Sequence, residues 1–434
     1  DVMLQGGSFA NLSEFPVLQM FYRQGMILPG HPGNTGRKPV LIGTQDQVAA
    51  QLNYIYRGNY GLISKEEIEA TGIDSETADE MMRMKLRFAF GGIRDTTEFV
   101  DTLVVGREAE EIRNGVMVKR LDVNVYEISY RGSSVSVDLN IPRHRQYESP
   151  YPLSYHQVER DYFSVIHSGE ADGWDINRPT MSSIICFQGK LFLVDAGPNL
   201  PAIINALGIS VSEIEGIFHT HSHDDHFAGL PTLMQTDHRI RYFATPLVRA
   251  AVTKKLTAML GVEEREFEHY FDVHDLDFDS WNKIGGLEVR PIFSPHPVET
   301  TFFYFRAMGP EGYKTYGHMA DIASFSVLES MVTDDDTAPG ISEARFARTK
   351  YEYHVPTNVK KIDIGGGLIH GSALDFKDDP SDKIILAHTD REHTPEEKEI
   401  GSGAPFGTVD VLIDGYQNYV WRFPAKEFWR NRSF

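Results

Sequence analysis

Cysteine is nearly absent: Cys186 is the only one in 434 residues. A disulfide scaffold within the chain is excluded, because a lone thiol has no partner. Set in the apolar run Ile184–Phe187, Cys186 reads as buried and inert. Long hydrophobic runs are also missing. No stretch approaches the roughly 18 consecutive apolar residues of a membrane-spanning helix, so no membrane contact is expected. The first ten residues carry no basic stretch followed by an apolar run; no secretory leader is visible there, and the cytoplasm is the expected location. Positive charge is scarce. The 42 Lys and Arg face 62 Asp and Glu, a net charge of −20. That balance excludes a broad nucleic-acid surface, which needs clustered Lys and Arg. There is no repeat at a fixed period and no low-complexity tract. No Gly-x-Ser-x-Gly elbow occurs, so serine-triad catalysis lacks its usual support. The run Gly365–Gly367 lacks the Lys-Ser/Thr ending of a phosphate cradle.

What is present is ordinary in bulk: 41% hydrophobic and 24% charged residues, as in globular proteins. The length exceeds one core of common size and implies two domains, or one domain with additions. The first part looks helical. Thr44–Gln47 has the form of a capping box, predicting a helix to Tyr56 before Arg57-Gly58-Asn59. Ser64–Glu67 is a second such box, and a third helix is expected over Ser75–Arg87. Pro29-Gly30-His31-Pro32-Gly33 reads as a loop. The period then changes to two. Leu121, Val123 and Val125 alternate with polar residues, and Val135, Val137, Leu139 and Ile141 alternate after Arg131-Gly132-Ser133, which predicts a β-hairpin. Residues 142–162 form the expected linker, giving domains 1–160 and 161–434. Strands are expected at Phe163–His167, Ile184–Phe187, Leu191–Val194, Ile214–Phe218, Leu287–Phe293, Thr301–Arg306 and Lys383–Leu386. Helices are expected at Leu200–Leu207 and from Pro246 to about Leu260. Strands alternating with helices suggest an α/β sandwich with the helices outside.

The seventeen histidines are the one unusual count. The segment His219-Thr220-His221-Ser222-His223-Asp224-Asp225-His226 follows directly on the strand Ile214–Phe218. Alternate residues at a strand end point the same way, so His221 and His223 can share one metal ion. Asp225 and His226 then reach a second. Two ions need further ligands at later strand ends, and His296, Asp321 and His388 stand at such places. Asp195, after Leu191–Val194, His219 and His318 lie beside this set.

The His-x-His-x-Asp-His string at 221–226 resembles the signature of the metallo-β-lactamase superfamily, as do Leu-Val-Asp-Ala-Gly at 193–197 and the later His, Asp and His. The resemblance spans roughly residues 163–434. It implies an αββα metallo-β-lactamase sandwich, preceded here by a mainly helical N-terminal region with a β-hairpin. It also implies a dinuclear site. His221, His223 and His296 would hold one ion, Asp225, His226 and His388 the other, and Asp321 both, with Asp195 orienting the ligand loop. Flavodiiron members have Glu where this chain has His223, which points away from redox chemistry. Residues 363–371 look like the segment carrying a His-Glu-Ala-Thr motif in ribonuclease Z and related phosphodiesterases. His370 matches, but Gly371 stands where that motif has Glu, and Ala320-Asp321-Ile322 stands where Gly-Asp-Thr is usual.

Two divalent cations lower the pKa of a bridging water and clamp a phosphate oxygen, and His370 is the candidate donor to a leaving alkoxide. The expectation is a metal-dependent phosphodiesterase acting on a small nucleotide-like substrate, cyclic nucleotides included. Asp225 and His370 are its catalytic residues. Zn suits the ligand set, although Fe and Mn use similar donors. The competing readings are a lactonase or thioesterase using the same hydroxide, and a di-metal sensor without hydrolysis. The N-terminal region reads as a cap or a homodimer surface, and alternatively as a gating module. His31, His144, His156, His167, His238, His269, His274, His354 and His393 read as ordinary polar residues, and Asp334–Asp336 as a solvated loop.

Overall fold

The computed structural model describes residues 2–4, 17–28, 30–140, 142 and 149–415. Pro29, Ile141, His144 and most of 142–148 therefore lie outside the described residues. The chain divides into two compact units.

The first unit gathers the described residues of 1–63, 92–148 and 250–267. Strands β1 (Val2–Leu4), β2 (Val40–Gly43) and β3 (Asp101–Val104) form a parallel sheet in that order. Strands β4 (Glu110–Arg113), β5 (Val116–Asp122), β6 (Val125–Tyr130) and β7 (Ser133–Asp138) form an antiparallel meander. Val40, Ile42, Val105, Val118 and Tyr126 make one core between these sheets. The expected hairpin is thus part of a larger sheet system. The stretch Leu121 to Val125 is not one strand, because Val123 and Asn124 form the turn between β5 and β6, with Asn124 at φ +60°. Helix α1 (Gln45–Tyr60) has the full capping box at Thr44 and Gln47. It runs past the expected stop at Tyr56, because Gly58 is buried within it. The helix closes instead at Gly61, whose N–H reaches the Arg57 carbonyl at 2.8 Å with φ at +60°.

The second unit holds the described residues of 64–91, 149–249 and 268–434. Its helices include α2 (Lys65–Glu69) and α3 (Ser75–Phe88), capped by Ser64 and Asp74. Its first strands are β8 (Phe163–Gly169), β9 (Ser182–Phe187), β10 (Lys190–Val194), β11 (Ile214–Phe218), β12 (Ile240–Ala244) and β13 (Phe271–Asp275). There follow β14 (Asn282–Ile284), β15 (Leu287–Ser294), β16 (Thr300–Gly309), β17 (Gly312–His318), β18 (Val359–Asp363), β19 (Ile384–Ala387) and β20 (Val409–Ile413). One sheet has the order β13-β12-β11-β10-β9-β8-β20, the other β14-β15-β16-β17-β18-β19.

The sheets share a core in which Phe163, Val165, Phe192, Val194 and Phe218 meet Leu287, Val289, Phe303, Phe305 and Tyr316. The outer face of the second sheet packs Phe302, Tyr304 and Ile362 against Tyr353 of α7 and Phe376; the helices between carry the labels α4 (Leu200–Ala206), α5 (Asp224–Phe227), α6 (Pro246–Leu260) and α7 (Glu343–Tyr353). The parallel neighbours β10 and β11 need a crossover, which α4 supplies, burying Leu200, Ile203 and Ile204. The result is an αββα sandwich. Burial on both faces explains why Leu191–Val194 reads as an unbroken apolar run.

The packing departs from a division at 160/161 in three places, the first being that residues 149–160 group with the second unit. Residues 64–91 group with the second unit: Glu80 takes hydrogen bonds from Ser342 and Arg345, and Met84 joins Leu328, Ile341 and Phe346. Residues 250–267 group with the first, where the Lys255 ammonium lies 4.8 Å from the centre of the Tyr54 ring. Strand β18 escaped the hydrophobic pattern because it carries Lys360 and Lys361, both fully buried. The Lys361 ammonium donates to the carbonyls of Gly169 and Ser182, and burial pushes its pKa down to about 7. No helix among the described residues is long and apolar enough to cross a membrane.

Candidate metal centre

The strand ends of both sheets meet at one cluster. β11 delivers His219 to His223, and Asp224 opens α5, which puts Asp225 and His226 on its first turn. His296 lies in the loop between β15 and β16, Asp321 three residues past β17, and His388 directly after β19. His388, Asp195 and Ala320 all have φ between +50° and +66°, a conformation L-residues adopt only when the surroundings hold them there.

Three groups of potential ligand atoms form, each within 4.8 Å: His221, His223, His296 and Asp321; Asp225, His226, Asp321 and His388; and Asp321, Asp363, His370 and His388. Asp321 is common to all three. The first two hold the seven residues that the sequence put forward as ligands; the third adds Asp363 and His370. His296 Nε2 lies 3.1 Å from His223 Nδ1, and His226 Nε2 3.0 Å from Asp321 Oδ1. His388 Nε2 lies 3.0 Å from Asp225 Oδ2 and 3.2 Å from Asp321 Oδ1.

The chemistry of this set fits divalent cations. His221 Nε2, His226 Nε2, Asp225 Oδ1 and both Asp321 oxygens are buried without a hydrogen-bond partner. Orphaned buried polar atoms are costly unless something polar or charged occupies the space between them. Burial would raise the Asp321 carboxyl, yet His388, His226 and His221 hold it well below the usual carboxylate range. Burial pushes His221 and His296 down, so both imidazoles are neutral, the form that ligates metals.

A surrounding layer orients these ligands. Asp195, fully buried, accepts from the Thr220 N–H at 2.8 Å, from the Thr220 hydroxyl at 2.7 Å and from His226 Nδ1 at 2.7 Å. Asp195 thus ties the 220–226 loop to the end of β10. Thr180 donates to the Asp225 carbonyl at 2.7 Å. His219 stacks on Phe227 and reaches the Tyr242 hydroxyl at 3.1 Å, behind the ligand cluster. His318 is fully buried with Nδ1 3.0 Å from the Tyr316 hydroxyl, and burial drives its pKa down to about 3. Both belong to the interior beside the ligands.

His370 reaches the rim. Its ring stacks on His388 with centroids 4.4 Å apart, and it is the more exposed of the two. Its Nδ1 lies 3.0 Å from Asp363 Oδ2. Asp363 had no role in the sequence-based expectation. At the end of β18 it also accepts from the N–H groups of Gly365, Gly371 and Ile322 and stands 3.5 Å from His388 Nδ1. The signal was there: Asp363 closes a buried strand, as Asp195 directly follows one.

Comparison with known proteins agrees with the motif. The family profile described as "Anti-Pycsar protein Apyc1" matches residues 164–319. A cAMP/cGMP-dependent 3',5'-cAMP/cGMP phosphodiesterase B of Dictyostelium discoideum is 24% identical over 159 residues, 36% of this chain and 14% of that protein. A ribonuclease Z of Methanococcus maripaludis is 33% identical over 115 residues, 26% of this chain and 37% of that protein. The chain thus spans well under half the length of these curated relatives. Among solved structures, the metallo-β-lactamase fold protein YhfI of Bacillus subtilis covers 58% of this chain and 99% of its own, with 14% identity and a TM-score of 0.42. The short form of human tRNase Z covers 57% and 99%, with 14% identity and a TM-score of 0.39.

Proposed function

We propose that this protein is a metal-dependent phosphodiesterase acting on a small, nucleotide-like substrate, cyclic nucleotides included. One observation carries the reading: the Asp321 carboxylate is common to all three groups of potential ligand atoms, and His370, held by the Asp363 carboxylate, stands at the edge of the first two. His221, His223 and His296 would hold one ion, Asp225, His226 and His388 the other, and Asp321 both. Divalent cations there, with Zn the best match to the donors, would supply Lewis acidity toward water and toward a phosphate oxygen.

The remaining work falls to the chain. Asp195 fixes the ring of His226 and Asp363 that of His370. With Nδ1 tied to Asp363, the His370 ring offers Nε2 to a departing oxygen, which it would protonate. The names of the Dictyostelium phosphodiesterase and the ribonucleases Z support phosphodiester chemistry. A net charge of −20 favours a small substrate over a nucleic-acid polymer.

The test is hydrolysis of a bis-aryl phosphodiester, of 3',5'-cyclic nucleotides and of carboxyl esters by the metal-loaded protein, beside Asp225→Ala. Turnover of the phosphodiesters by the wild type and not by the variant is expected. Equal turnover by both proteins, or turnover of the carboxyl esters alone, would overturn the reading.

A further inference from the structure

His296 sits between Pro295 and Pro297 in the loop joining β15 and β16. The two prolines remove two backbone donors, so the loop has few hydrogen bonds of its own to hold its shape. What holds it comes from far away in sequence. Lys85 of α3 places its ammonium 3.0 Å from the Pro297 carbonyl and 2.9 Å from Glu299 Oε1. Both side chains are buried, 4% and 5% exposed.

Helix α3 is itself firmly placed. Glu80 accepts from the Ser342 N–H and hydroxyl and from both Nε and Nη2 of Arg345. The Gly340 N–H reaches the Arg83 carbonyl at 3.1 Å, and Met84 packs with Ala323, Leu328 and Phe346. Lys85 is thus a cation on a fixed support, aimed at a loop that carries a ligand.

A buried ion pair is a poor stabiliser, since desolvation of both charges offsets most of their attraction. What it does supply is direction: an ammonium with two fixed acceptors defines where the backbone after His296 must lie. The His296 ring has one further orienting contact, from Nδ1 to the Ile369 carbonyl at 3.2 Å. In the other group, Asp225 and His226 are held by Thr180 and Asp195.

We propose that Lys85 is a positioning residue for the candidate metal centre: through Pro297 and Glu299 it sets the place of His296, and so the affinity of the ion held by His221, His223 and His296. The proposal rests on the reading of the cluster as a metal centre. Loss of a partner that orients a ligand typically weakens metal binding by about 10- to 100-fold.

The test is competition for Zn against a coloured chelator, with the Co-substituted visible spectrum read on the same proteins: wild type, Lys85→Met, Glu299→Gln and the double variant. Lys85→Met is expected to weaken one of the two equivalents by about 10-fold or more, to leave the other within about 3-fold, and to change one set of cobalt bands. Glu299→Gln, which keeps an oxygen for Lys85, is expected to have a smaller effect and serves as the probe if Lys85→Met does not fold. The double variant is expected to resemble Lys85→Met, because the hydrogen bond to Pro297 is lost in both. Unchanged affinity at both equivalents, or equal weakening of both, would overturn the proposal. A wild-type protein that binds no metal would instead overturn the metal-centre reading beneath it.

Discussion

Asp195, directly after β10, and Asp363, the last residue of β18, stand at strand ends in the two opposite sheets and each accepts from a histidine of the candidate site. Asp195 takes His226 Nδ1 at 2.7 Å, and Asp363 stands 3.5 Å from His388 Nδ1 while taking His370 Nδ1 at 3.0 Å. Each is also pinned by backbone N–H groups, Asp195 by Thr220 and Asp363 by Gly365, Gly371 and Ile322. Carboxylates in this position fix the ring orientation and raise the basicity of the ligating nitrogen.

Replacing either carboxylate by its amide should therefore loosen metal before it loosens the fold. Asp195→Asn and Asp363→Asn are each expected to weaken metal binding by about 10-fold or more. Chelator competition measures this; unchanged affinity in both would remove the assigned role.

His370→Ala separates proton donation from metal binding. For a phosphodiester with an alkyl leaving group, kcat is expected to fall by about 100-fold, with metal content unchanged. For a p-nitrophenyl leaving group, which departs without help, the loss should be small. Steady-state kinetics on the two substrates checks the contrast, and equal losses on both would contradict it.

Gly197 tests the close approach of the strand-end loop to the ligands. A Cβ there would meet the Thr180 hydroxyl at 2.2 Å and the Asp225 carbonyl at 2.3 Å. Gly197→Ala is expected to cost about 3 kcal/mol and to shift Asp225. Denaturant unfolding and metal titration read the two effects.

His167 predicts a pH dependence away from the cluster. Burial outweighs its contact with Asp410, 2.9 Å away, and pushes its pKa down to about 4, with Lys361 and Lys383 adding to the shift. In the unfolded chain the group titrates near 6.5. Between these values the unfolded state binds more protons, so stability falls as pH drops from about 6.5 to about 4. The ceiling on this loss is about 3 kcal/mol. His167→Asn should flatten the dependence of Tm on pH over that window, and an unchanged slope would contradict the assignment.

What was legible in the sequence follows from what is local. Ile214–Phe218 is buried except at Glu215 and runs straight into the 219–226 histidine cluster, so the strand and the candidate ligands were both visible. The capping box at Thr44 and the Ser64 cap on the Glu67 N–H are satisfied within a few residues and were visible for the same reason. Strand β18 was hidden by Lys360 and Lys361, whose charges are met by groups distant in sequence: Asp379 for one, the carbonyls of Gly169 and Ser182 for the other. Asp363 was quoted as part of a glycine-rich segment but not as an anchor, because its partners come from three different loops. The link from Lys85 to the His296 loop joins residues more than 200 positions apart, and no spacing rule reports it.

The central claim is a pair of metal ions sharing Asp321. Elemental analysis of the metal-replete, desalted protein beside Asp321→Ala tests it most directly. Two equivalents of a divalent metal in the wild type, and fewer than one in the variant, are predicted. No stoichiometric metal in the wild type, or the same content in both proteins, would contradict it.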